Sequence, residues 1–70
     1  MTENELWNYL GKDVLVLKID GDEVCGFVSS VIPSADNEPE EASLYVDIPN
    51  TKHIEEVYLS EIKSIEVINK

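Results

Sequence analysis

Hydrophobic positions along the chain follow one short helical pattern and then several runs of period two. Leu6 and Leu10 recur four residues apart with Trp7 beside them, which predicts a short amphipathic helix docking through Leu6, Trp7 and Leu10. Thr2 and Glu5 have the spacing of a capping box, and Gly11 stands where a C-terminal cap belongs. Two helical turns are not stable alone, so this element must pack on a partner.

Alternation then takes over. Asp13 to Asp20 reads as a strand, with Leu15, Leu17 and Ile19 on one face and Val14, Val16, Lys18 and Asp20 on the other. Asp20-Gly21-Asp22 is a hairpin signal, and Glu23 to Val31 is the return strand. On that strand Val24, Gly26 and Val28 share a face and Cys25 and Phe27 the other; Gly26 predicts a bend or a close backbone approach. Pro33 to Ala42 is aperiodic and acidic, a loop. Leu44 to Ile48 is a strand with Leu44, Val46 and Ile48 inward and Tyr45 and Asp47 outward. Pro49 to Lys52 is a turn, and Ile54 to Leu59 a further strand. Ser60 to Ile62 reads as a single helical turn, and Ile65 to Ile68 closes the chain as a last strand. A helix followed by five short antiparallel strands, the second one bent, predicts an all-β, SH3-like, strongly bent five-stranded barrel in one domain spanning residues 1–70.

Composition narrows what such a domain can do. At 70 residues its core is marginal, and small folds of this size draw on disulfides, metals or association. Cys25 is the only cysteine and His53 the only histidine, which excludes an intrachain disulfide and leaves too few soft ligands for structural zinc. Good packing or self-association remains. Fifteen acidic residues against five lysines, with no arginine, give a net charge of −10. That charge opposes approach to nucleic acid and to anionic membranes, and it suits a protein partner with a basic face. The first residues lack the positive charge and apolar run of a signal peptide, and no apolar stretch reaches the length of a membrane span. A cytoplasmic location is expected.

The stretch Leu6-x-x-x-Leu10-Gly11-Lys12-Asp13-Val14-Leu15-Val16, followed by Lys18-Ile19-Asp20-Gly21-Asp22-Glu23-Val24-Cys25-Gly26-Phe27-Val28, resembles the opening of Sm-like proteins. Leu44 to Asp47 is similar to the third strand of that family, and Val57 to Ile65 to its second motif, a strand, a one-turn linker and a final strand. The resemblance covers about Leu6 to Ile68. It implies a short helix on a bent barrel and a ring in which the fourth strand of one subunit pairs with the fifth of the next. Here the interface would hold Val57, Tyr58 and Leu59 against Ile65, Val67 and Ile68. It also implies RNA binding as an alternative function, but the positions that would carry it depart from the family. The loop before Leu44 is longer and rich in proline and glutamate, Asp36-Asn37 stand at the wrong spacing, and Ser60-Glu61 replace an Arg-Gly pair. A glutamate repels phosphate where an arginine attracts it.

The remaining candidate chemistry is thin. His53 could act as a base, but no serine, cysteine or second histidine is placed to work with it, so it reads as a solvated turn residue. Cys25 would need a cationic neighbour to become a thiolate and has Glu23 instead; it reads as a partly buried apolar residue. Asp36, Glu38, Glu40 and Glu41 lack the glycine and spacing of a calcium loop and read as a solvated mobile segment, and hairpin chemistry accounts for Asp20 and Asp22. Trp7 reads as a lid on the barrel end, with Tyr9 less explained. Tyr45 and Tyr58, on outward faces, could stack bases, yet the flanking cations of such platforms are missing: the lysines are scattered at 12, 18, 52, 63 and 70. No paired catalytic groups and no cofactor motif are present. The expected function is therefore a non-catalytic assembly or protein-interaction module that associates with itself through strand edges.

Overall fold

The computed structural model describes residues 1–37 and 40–68. Glu38 of the acidic segment, the Pro39 that follows it and Lys70 lie outside the described residues. The chain opens with one turn of α-helix, α1 (Glu3–Leu6), which tightens into a 3-10 turn over Trp7–Tyr9. That tightening changes the docking face. A 3-10 turn has three residues per turn, so the residue stacked over Leu6 is three positions on, not four. Leu6 is fully buried and Tyr9 packs against the core, whereas Trp7 and Leu10 are 44 % and 42 % exposed. Trp7 is thus not the lid expected from the sequence. The capping box also does not form: the Thr2 hydroxyl donates to the Glu5 carboxylate at 3.3 Å and makes no bond to a backbone amide.

Five strands follow: β1 (Asp13–Lys18), β2 (Glu23–Ile32), β3 (Ser43–Asp47), β4 (Ile54–Tyr58) and β5 (Ile62–Val67). They form one sheet in the order β4-β3-β2-β1-β5, every neighbouring pair antiparallel. The all-β class with a short N-terminal helix is as the alternation predicts. The barrel is not closed: β4 and β5 stand at opposite edges of the sheet.

The β1–β2 hairpin turns through Ile19, Asp20 and Gly21. The Lys18 amide donates to the Asp22 carbonyl at 2.8 Å and the Gly21 amide to the Lys18 carbonyl at 3.0 Å. Gly21 takes φ +95°, the left-handed position that such three-residue loops reserve for glycine. The Asp20 carboxylate accepts from the Asp22 amide at 2.9 Å and pins the turn. Ile19 therefore belongs to the turn and is 68 % exposed, not on a strand face with Leu15 and Leu17.

Two features bend β2. Gly26 is buried where a Cβ would collide with the Asp47 carbonyl oxygen and come within 2.9 Å of Val46 Cγ1, so β3 crosses it in close backbone approach. Three residues on, the β2–β3 register slips: Val28 opposes Val46, but Ser30, not Ser29, opposes Tyr45. Ser29 is the extra residue of a bulge, and its hydroxyl donates to Asp47 Oδ1 at 2.9 Å. The slip reverses the alternation, so Val31 follows Val24, Gly26 and Val28 onto the core side.

The core is the concave side of this sheet, with Val14, Val16, Val28, Leu44, Val46 and Val57 all fully buried and Leu6 closing one end. Each such side chain contributes about 1.5–3 kcal/mol when fully buried. The segment after β2 is tied down. Asn37 Nδ2 donates to the Glu41 carbonyl at 2.8 Å and to Ser43 Oγ at 2.9 Å. The Glu41 carboxylate accepts from the Ser60 amide at 2.7 Å, and the Ala42 carbonyl from the Leu59 amide at 2.9 Å. Among its described residues, the segment expected to be solvated is anchored to β3 and to the start of the 3-10 turn Leu59–Glu61, because Asn37 and Glu41 supply the bonds that aperiodic backbone lacks.

Candidate functional site

The sheet ends in two strands with one free side each. In an antiparallel ladder the backbone groups of successive residues point alternately toward and away from the partner. The Ile48 amide donates to the His53 carbonyl at 3.1 Å and the Leu59 amide to the Ala42 carbonyl, so odd-numbered residues of β4 face β3. Ile54, Glu56 and Tyr58 then direct their backbone groups off the sheet. At the other edge the Ile68 amide donates to the Asp13 carbonyl at 2.8 Å, so Ile65 and Val67 direct theirs away from β1.

The two edges differ chemically. β4 carries Glu55 and Glu56 side by side, while Lys63 and Glu66 of β5 balance each other. Ile54 is 54 % exposed and Val67 39 %. Of the six residues expected at an interface, Val57 is fully buried in the chain's own core, and Tyr58, Leu59, Ile65 and Ile68 are half-buried. Tyr58 lies on β4 and Ile65 and Val67 on β5, on opposite edges of the sheet.

Glu61 joins the two ends of the sheet, a role that sequence reading missed. Its Oε1 accepts from the Tyr58 amide at 3.1 Å, taking one of the outward donors of β4. Its Oε2 meets Lys18 Nζ at 3.1 Å, and its carbonyl accepts from the Ile19 amide at 2.8 Å. The hydrogen bond to Glu61 holds the Lys18 ammonium above its ordinary pKa; burial opposes this, and the Asp20 and Glu55 charges add to it. The signal was present in the sequence: Tyr58 and Glu61 have the N-cap-to-N3 spacing at which a glutamate reaches back to the cap amide.

The other candidates separate. Lys18, Glu23, Val24, Cys25, Ile48 and Glu55 are among the residues lining an open cleft of about 320 Å³ at the hairpin end. Cys25 is exposed, not partly buried, because the outer side of β2 is uncovered at that point. His53 is exposed and its Nε2 lies 3.0 Å from Glu55 Oε2. Tyr45 and Tyr58 both flank Glu56 on the outer side, and desolvation together with the Glu56 carboxylate raises the Tyr58 phenol above its ordinary pKa. Asn37 is spent on Glu41 and Ser43, and the Ser60 amide on Glu41. Among the described residues, no three His, Cys, Asp or Glu side chains converge as a metal site, and no helix is long and apolar enough to cross a membrane. No family model, curated protein or solved structure matches the chain.

Proposed function

We propose that this protein is a non-catalytic assembly module whose copies join by strand addition, the β4 edge of one against the β5 edge of the next. The observation that carries the reading is that β4 and β5 stand at opposite edges of one sheet, where Ile54, Glu56, Ile65 and Val67 direct their backbone groups outward. Exposed edges of this kind are templates for a further strand. Because the two edges differ, pairing them is head to tail, and such contacts close into rings or extend into filaments. The resemblance of Leu6 to Ile68 to Sm-like proteins supports the same choice of strands. In this reading Ile65 and Val67 supply the apolar contacts of one edge and Ile54 and Tyr58 those of the other. The charge of −10 per copy sets the condition: association strengthens as salt screens the repulsion.

Light scattering coupled to size exclusion at about 0.15 M salt tests this. The expected mass is an integer multiple of the monomer, and Val67→Pro, which removes an outward amide at a 39 % exposed residue without touching the β1 ladder, returns it to the monomer with the circular dichroism unchanged. A monomer at high protein concentration and high salt would sink the proposal.

A further inference from the structure

The convex side of the sheet carries a second surface, which shares only Ile54 with the contacts assigned to the edges. The pairing registers place Ile68, Asp13, Phe27, Asp47 and Ile54 in one row straight across all the strands. The next row toward the hairpin holds Glu66, Leu15 and Cys25, and the one after it Ser64, Leu17 and Glu23. Side chains directly opposite in such rows stand about 5 Å apart, so these rows form one contiguous face. It is half apolar: Phe27 is 42 % exposed, Cys25 is exposed, and Leu15 and Leu17 are half-buried. The N-terminal helix does not cover it, because Leu6 sits in the core on the other side; the segment held by Asn37 is anchored at Ser43, Leu59 and Ser60, none of which belongs to these rows.

Carboxylates are set among these apolar groups. Asp13 and Asp47 flank Phe27 on both sides, Glu66 lies beside Leu15 and Glu23 beside Leu17, and no lysine occupies any position of the rows. Covering such a face with an apolar partner would strand the carboxylates away from water, which is costly unless each gains a partner. A second copy would bring its own carboxylates against them, and a nucleic acid its phosphates. We infer that this face is the docking surface for a basic, amphipathic polypeptide segment, whose apolar side chains cover Phe27, Cys25 and Leu15 while its Lys or Arg side chains meet Asp13, Asp47 and Glu66.

The test uses the full chain, labelled with nitrogen-15, and a synthetic peptide of alternating Lys and Leu, with oligolysine and an alternating Glu/Leu peptide as controls. The Lys/Leu peptide is expected to shift the amides of Leu15, Cys25, Phe27 and Asp47 saturably. Phe27→Ser, and separately Asp13→Asn with Asp47→Asn, are expected to weaken binding by about tenfold or more, the size of effect seen at contact centres. Asp20→Asn with Asp22→Asn makes the same change in net charge at the hairpin tip and is expected to leave affinity within about twofold, as a rim charge does. Equal weakening by the two double variants, or oligolysine binding as tightly as the Lys/Leu peptide, would reduce the effect to bulk charge and overturn the inference. Shifts confined to other strands, or shifts of this face on raising protein concentration without peptide, would overturn it as well; the latter would assign the face to a second copy.

Discussion

Gly26→Ala is the most informative single substitution in the sheet. The added Cβ would collide with the Asp47 carbonyl oxygen and press on Val46 Cγ1 at 2.9 Å. The obstacle is backbone, so it cannot be relieved by a rotamer change; β2 and β3 must separate locally. Overpacking of this kind costs about 1–3 kcal/mol. Displacing one ladder hydrogen bond adds about 1 kcal/mol. The expected loss is about 3 kcal/mol, a large share of the roughly 4–10 kcal/mol that a domain of this length holds in total. Cys25→Ser, one residue away, alters an exposed side chain and is expected to stay within about 0.5 kcal/mol of the parent. Urea unfolding followed by far-ultraviolet circular dichroism reads both. With a slope of about 1 kcal/mol per molar, Gly26→Ala should lower the midpoint by about 3 M. A Gly26→Ala midpoint equal to the parent's, or a Cys25→Ser midpoint below that of Gly26→Ala, would refute the close approach of β2 and β3.

Other outcomes follow from the same geometry. Leu6→Ala should cost about 2–5 kcal/mol in urea unfolding, while Leu10→Ala should cost under about 1 kcal/mol, since only Leu6 is fully buried; equal losses would restore the four-residue docking face. Lys18 has a folded pKa raised above its ordinary 10.5, so its pairing stabilises in full below about that pH and is lost as pH rises past the folded value. Parent stability should therefore fall more steeply than that of Lys18→Met above pH 10.5, and parallel curves would dissociate Lys18 from the Glu61 clamp. Uridine-rich and adenine-rich oligonucleotides should give no saturable anisotropy change at physiological salt, because lysines are outnumbered threefold by carboxylates; micromolar binding that weakens with salt would revive the RNA reading.

The strands were legible because their alternation is strict: Val14 and Val16, Val24 and Val28, and Leu44 and Val46 each mark the buried face at period two. The hairpin was legible because Asp-Gly leaves few alternatives. The helix face was not, because period-3.6 reasoning pairs Leu6 with Leu10, and nothing in Glu3 to Leu10 announces the 3-10 geometry that brings Tyr9 inward instead. The bulge at Ser29 was equally silent: serine carries no signal for an unpaired position, and only the register reveals it. The tethering of Glu41 to Ser60 and of Glu61 to Lys18 depends on elements brought together by the sheet, which local pattern cannot supply; only the contact of Glu61 with the Tyr58 amide, three residues away, is local. Sequence pattern placed strands at Ile54 to Leu59 and Ile65 to Ile68, but which of their residues face off the sheet, and the convex rows of alternating carboxylate and apolar groups, needed the pairing registers.

Amide hydrogen exchange at Ile54, Glu56, Ile65 and Val67 probes strand addition most directly, because these groups point off the two free edges. Edge assembly predicts that they exchange rapidly in dilute protein at low salt and become protected as protein and salt rise, together with the mass. Fast exchange at all four positions, at every concentration and salt, would contradict it.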